Sequence, residues 1–189
     1  MHGSAHIAAP ASLVFSIVRD ISSYPNWNTF CPRATIHSQP PNISSDAQQI
    51  LHKDTSFIFH VVMDASKPNS VTDTKLRVTD MSTPPEQSTY VPKEILENDG
   101  SFERHQGRVY RVAWTGEGKF MTRGLKSERW HEIVELGENE CRVKTWECQG
   151  GMLARAVKYY YKDVLQRKFE EWCQELKTEA ERRVREGNA

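Results

Sequence analysis

Two adjoining stretches place groups capable of chemistry in one register. Residues 127–136 and 140–149 alternate as strands do, and Gly137-Glu138-Asn139 between them reads as a turn. A hairpin closed there sets Arg129 against Glu147, His131 against Thr145 and Ile133 against Val143 on one face. An arginine held against an organic ligand anchors a carbonyl, enolate or carboxylate oxygen. A neighbouring glutamate orients the ligand or exchanges a proton, and a histidine titrates near neutrality. The same residues admit a plainer reading, with Arg129–Glu147 a buried cross-strand salt bridge and His131 a hydrogen-bonded core residue. The other face of the hairpin pairs Glu132 with Lys144 and Trp130 with Trp146. Each of these pairs contributes ~0.2–1 kcal/mol, and a one-residue slip would break them all.

Other chemistries leave little trace in the chain. It has no Gly-rich phosphate loop, no HExxH and no nucleophile elbow. His2 and His6 share one strand face without acidic or thiol neighbours, a poor metal site, so no metal and no cofactor are expected. The four cysteines, Cys31, Cys141, Cys148 and Cys173, show no CxxC or zinc spacing. Cys141 and Cys148 face opposite sides of one strand and cannot bridge each other. Lys+Arg and Asp+Glu balance at 25 each, so no net field recruits nucleic acid or an anionic membrane. No secretory signal precedes Pro10 and no apolar run is long enough to span a bilayer. A reduced, intracellular, cytoplasmic setting without stable membrane insertion is the expectation.

The elements that must hold the hairpin can be read along the 189 residues, a length that suits one domain. Gly3 to Ala9 reads as a first strand. Pro10 is placed to start a helix through Leu13, Val14, Ile17 and Val18, and residues 22–28 form a second, short helical turn. Ala34 to Ser38 is a strand, and the polar segment Gln39 to Asp54 a loop or lengthened hairpin. Phe57 to Asp64 and Val71 to Asp80 form a hairpin about Lys67-Pro68-Asn69. Residues 84–107 are a polar excursion with a short helix over Pro92 to Asn98. An excursion of this length suits a lid or binding loop as well as a disordered segment. Val109 to Thr115 precedes the last hairpin.

The chain then ends in a long helix, Leu153 to about Arg185, entered through Gly150-Gly151. Leu153, Val157, Tyr161, Val164, Leu165, Phe169, Trp172, Leu176 and Ala180 recur at three- and four-residue steps and draw one apolar stripe. At 1.5 Å per residue the helix is ~50 Å long. Laid on a curved sheet, it leaves space beneath it.

Three segments resemble the SRPBCC, or START-like, helix-grip superfamily, which contains polyketide cyclases, START lipid-transfer domains, coenzyme-Q-binding proteins and plant pollen allergens. They are Ala9-Pro10 through Tyr24-Pro25-Asn26-Trp27-Asn28, then Val112-Ala113-Trp114-Thr115-Gly116, and finally Glu128-Arg129-Trp130-His131-Glu132-Ile133 with Glu147 and Gly151. The chain departs from the pattern in the excursion at 84–107 and at Gln149, where many relatives carry an aromatic residue. The resemblance implies an α+β helix-grip fold: a curved antiparallel sheet of six to seven strands wrapped around the long C-terminal helix, with two short N-terminal helices. It also implies an internal cavity between sheet and helix. Arg129, His131 and Glu147 are then candidate catalytic residues. Tyr110, Val112, Trp114, Ile133, Val143, Thr145, Gln149, Val157 and Tyr161 are candidate ligand contacts. Such a lining suits a hydrophobic or amphipathic small molecule, a lipid, a quinone or a polyketide. The expected function is binding of such a molecule. The alternatives are a polyketide cyclase or dehydratase using the polar cluster and, more distantly, a protein-interaction domain.

Overall fold

The computed structural model describes residues 1–44, 47–64, 66–67, 69–118 and 124–187. Pro68 of the expected hairpin turn, and residues 45 and 46 of the polar segment, lie outside them. Seven strands form one antiparallel sheet in the order β1-β7-β6-β5-β4-β3-β2. They are β1 (His2–Ile7), β2 (Arg33–Ser38), β3 (Ser56–Val62), β4 (Val71–Ser82), β5 (Val109–Gly116), β6 (Lys126–Gly137) and β7 (Glu140–Gly150). Helix α1 (Ala11–Arg19) and a 3-10 turn (Ile21–Asn26) join β1 to β2, α2 (Lys93–Asn98) lies between β4 and β5, and α3 (Ala154–Arg185) ends the fold. This is the helix-grip arrangement, with the sheet curved by register shifts between Ile36 and Ser38, Val78 and Asp80, and Glu135 and Gly137.

The β6–β7 register is the one expected: Arg129 faces Glu147, Trp130 faces Trp146, His131 faces Thr145 and Glu132 faces Lys144. The opening helix starts after Pro10 and buries Val14, Phe15, Ile17 and Val18. Its successor is tied down by side chains. Tyr24 Oη donates to the Val18 carbonyl at 2.7 Å, and Asn28 Oδ1 accepts from the Cys31 amide at 2.8 Å. Trp27 then lies 5.9 Å from Trp172 of α3, centroid to centroid.

Two glycines set the distance between α3 and the sheet. A Cβ on Gly3 would stand 2.6 Å from the Phe169 carbonyl oxygen, so only glycine lets α3 approach β1 so closely. Gly151 has φ +92°, and a Cβ there would stand 2.7 Å from the Gly124 carbonyl oxygen. From Lys168 onward α3 buries Phe169, Trp172, Cys173, Leu176 and Ala180. Residues 154–167 are half-buried or exposed throughout. The apolar stripe is therefore continuous in sequence but seated on the sheet only along its second half.

The excursion at 84–107 is ordered and packs on the face of the sheet away from α3. Val91, Leu96 and Phe102 cover Ala113, Trp130 and Trp146, with the Phe102 ring at 5.2 Å from both indoles in edge contact. Beneath it lies a fully buried ion pair, Arg111–Glu132 at 2.6 Å. Lys144 approaches Glu132 at 3.3 Å, the Glu103 amide donates to it at 2.9 Å, and Gln106 accepts from Arg111 at 2.7 Å. The segment seals an outer face; it is not a lid over the helix side. The physical reason is its three large apolar side chains, which find partners only on the Trp130–Trp146 face.

Candidate functional site

Where α3 stands off the sheet, a pocket of about 260 Å³ opens between them. Its floor comes from β3 to β7, because alternate residues of each strand turn toward the helix. Trp114, Arg129, Glu147 and Gln149 belong to that floor, and Val157 and Leu165 descend from α3. Phe30 and Cys31, just beyond the helical turn, close one end, and Phe59, Val61 and Met63 close another. Phe59 meets Trp114 edge-on at 5.5 Å. The lining is largely aromatic and aliphatic, with one cation, one carboxylate and the neutral polar groups of Thr74, Ser127 and Gln149.

Arg129 is buried, and its guanidinium carbon lies 3.9 Å from the centre of the Phe169 ring and 5.2 Å from that of Trp172. Arg129 Nε donates to Thr145 Oγ1 at 3.2 Å, while Nη2 has no hydrogen-bond partner among the described residues. Burial lowers its pKa, yet a guanidinium keeps its proton. Glu147 faces it in register but turns to Gln149, whose Nε2 donates to Glu147 Oε1 at 2.6 Å. The cross-strand salt bridge allowed by the register is thus not formed. Aromatic faces hold the cation instead, and they leave one edge of the guanidinium unsatisfied.

His131 is fully buried between Trp114 and Trp172, with ring centroids 4.3 and 4.7 Å away. Neither ring nitrogen has a hydrogen-bond partner among the described residues. Burial, reinforced by the nearby Arg129 charge, holds its pKa well below the usual range, so the imidazole is neutral. Sealed by two indoles, it does not reach the pocket. Burial also pushes the Cys31 thiol up to about 12, which keeps it a weak nucleophile.

Of the residues anticipated as ligand contacts, Trp114, Gln149 and Val157 line this pocket, as do Arg129 and Glu147. Val112, Ile133, Val143 and Thr145 face the same side of the sheet but are fully buried in the packed core. Tyr110 packs on Phe15 at 5.3 Å, and Tyr161 is half exposed on the outside of α3. The facing of the strands follows from alternation. The extent of open space does not, because the second half of α3, with Phe169 and Trp172, fills the part above β1 and the end of β7. Phe30, Cys31, Phe59, Val61 and Leu165 are among the lining residues that the hairpin register did not supply. The period-two run Phe57-Phe59-Val61-Met63 and the place of Leu165 on the helical stripe are the signals that point to them.

Among the described residues no cluster of His, Cys, Asp or Glu is gathered as a metal site requires, and no helix is long and apolar enough to cross a membrane. Comparison with known proteins agrees with the geometry. Residues 7–145 match the family described as polyketide cyclase / dehydrase and lipid transport. The chain is 32% identical over 169 residues to the oxopyrrolidines biosynthesis cluster protein O of Penicillium oxalicum, covering 83% of this chain and 74% of that one. The Zhui aromatase/cyclase of a Streptomyces species superposes with a TM-score of 0.64 at 13% identity, over 100% of this chain and 97% of the other. A START superfamily protein from Mycobacterium smegmatis gives 0.51 at 14% identity, over 96% and 97%. At these identities the two structures speak for the fold. With the family match over most of its length, the chain belongs to the polyketide cyclase/dehydrase and lipid transport family.

Proposed function

We propose that the pocket between the sheet and the first half of α3 binds a small aromatic or polyketide-like molecule whose carbonyl, enolate or carboxylate oxygen sits on Arg129. The observation that carries this reading is a buried guanidinium that lines the pocket and forms no salt bridge among the described residues. A desolvated cation without a carboxylate partner is costly, and an oxyanion supplied by a ligand offsets that cost. The volume of about 260 Å³ lies below the usual ~300–1,000 Å³ of ligand pockets and favours a ligand of one or two rings over a long acyl chain. The whole chain acts as one domain inside the cell, where its free cysteines stay reduced, and it takes no nucleic-acid partner.

A second reading is catalysis of a cyclisation or dehydration. Glu147 supports it, being half-buried at the pocket beside Arg129 and able to accept a proton while the guanidinium holds the developing enolate oxygen. The Streptomyces neighbour, an aromatase/cyclase, is of the same class, and the fungal relative belongs to a biosynthesis cluster. Native mass spectrometry of the purified chain, followed by titration with aromatic acids and β-dicarbonyl compounds, tests the binding reading. A pocket that stays empty across both classes sinks it. Glu147→Gln tests the catalytic reading: retained binding with lost turnover supports it, and unchanged turnover refutes it.

A further inference from the structure

The first turns of α3 carry surface features that the pocket does not use. Met152, Tyr159 and Tyr160 are 86%, 82% and 73% exposed, the highest values for large apolar side chains among the described residues. The Tyr159 and Tyr160 rings meet edge-on at 5.0 Å, and no other ring contact holds them among the described residues. On the adjoining flank Arg155, Lys158 and Lys162 line a groove of about 550 Å³ beside β1. These three cations form no ion pair among the described residues, whereas Arg167 and Lys168 further along both meet Glu171. Between residues 154 and 168 the one carboxylate is Asp163. An otherwise neutral chain thus concentrates free positive charge and exposed amphipathic rings on one helical segment.

We propose that this end of α3 docks on an anionic lipid surface. Arg155, Lys158 and Lys162 would meet the headgroups, and Tyr159, Tyr160 and Met152 the boundary between headgroups and acyl chains. Tyrosine is suited to that boundary because its ring is apolar and its hydroxyl stays hydrated. The choice of a lipid over a protein partner follows from charge and composition. Three cations without ion pairs among the described residues, beside exposed rings with little packing, complement a negatively charged headgroup layer over an apolar one. Val157 and Leu165 of the same segment roof the pocket, so docking there brings the pocket against the bilayer.

Sedimentation of the full chain with vesicles tests this. The wild type is expected to pellet with phosphatidylcholine vesicles containing a quarter phosphatidylserine, to be released by high salt, and to ignore pure phosphatidylcholine. R155Q/K158Q/K162Q is expected to bind roughly 100-fold more weakly, from about fivefold for each cation. Y159S/Y160S is expected to lower affinity at every salt concentration. All five positions are on the surface, and circular dichroism checks that the fold is kept. Hydrogen exchange over residues 152–162 should slow when anionic vesicles are added. Wild-type protein that stays in the supernatant, or a triple variant that binds as well as wild type, overturns the proposal. Capture of an acidic protein with vesicles ignored overturns it too and gives the surface to a protein partner.

Discussion

Arg129 and Glu147 are cross-strand partners that do not pair. The arginine leans on Phe169 and Trp172 and donates to Thr145, and the glutamate accepts from Gln149 two residues along its own strand. The consequence is a cation with a vacant donor next to a carboxylate held at a fixed place. If the two had closed on each other, the pocket would carry no group free to recognise an oxygen.

Arg129→Met separates recognition from stability. Removing a buried cation that lacks a carboxylate partner is expected to leave the unfolding free energy unchanged or raised, by at most ~1–4 kcal/mol, because the methionine fits among the same aromatic rings. Binding of an aromatic acid is expected to fall at least tenfold, since a charge-assisted hydrogen bond contributes about 1.5–3 kcal/mol. Differential scanning fluorimetry and calorimetric titration measure the two. A variant that unfolds and a variant that binds normally both contradict the assignment.

His131 is expected to make stability depend on pH. Its folded pKa lies below its unfolded value, so between the two the unfolded chain binds a proton that the folded chain does not. Stability is therefore complete above about pH 6.5 and declines as pH falls below it, by up to ~1.4 kcal/mol per pH unit. His52, also held low by burial and Arg19, acts in the same direction. His131→Phe should be tolerated within about 1.5 kcal/mol at pH 7.5 and should flatten the slope between pH 6.5 and 5. Urea unfolding at several pH values checks it; an unaltered slope would remove the role given to His131.

Gly3→Ala is expected to destabilise by about 1–3 kcal/mol, because the added carbon meets the Phe169 carbonyl and neither backbone can yield without moving α3. The same denaturation experiment reads it. A silent substitution would mean that the close approach of α3 to β1 is not required.

Leu165→Trp fills the pocket from the roof. Leu165 is half-buried and faces open space, so the larger ring is expected to cost less than ~2 kcal/mol while blocking ligand entry. Phe102→Ala, on the opposite face, should do the reverse, costing about 3–5 kcal/mol with binding intact in the folded fraction. Chemical denaturation and titration on both variants distinguish the two faces.

Much of this was legible in the sequence. The β6–β7 register followed from an ion pair and an aromatic pair falling opposite each other, and the fold from the order of its motifs. What stayed hidden depended on contacts between elements far apart in the chain. Arg111 joins Glu132 only through the β5–β6 pairing, whose register does not follow from alternation alone. Phe102 and Val91 belong to an aperiodic segment, so nothing in their spacing says which face they cover. The length of α3 could be counted, but the point at which it leaves the sheet is set by Gly3, Phe169 and Trp172 acting together.

The ordered excursion on the outer face has a further consequence. The outer cluster of Val91, Leu96, Phe102, Trp130 and Trp146, and the seated half of α3, anchor the fold away from the pocket. Substitutions at Val157, Leu165 or Gln149, none of them fully buried, therefore touch specificity with little drain on folding free energy. A chain built this way can exchange one ligand for another over evolutionary time while its architecture stays the same.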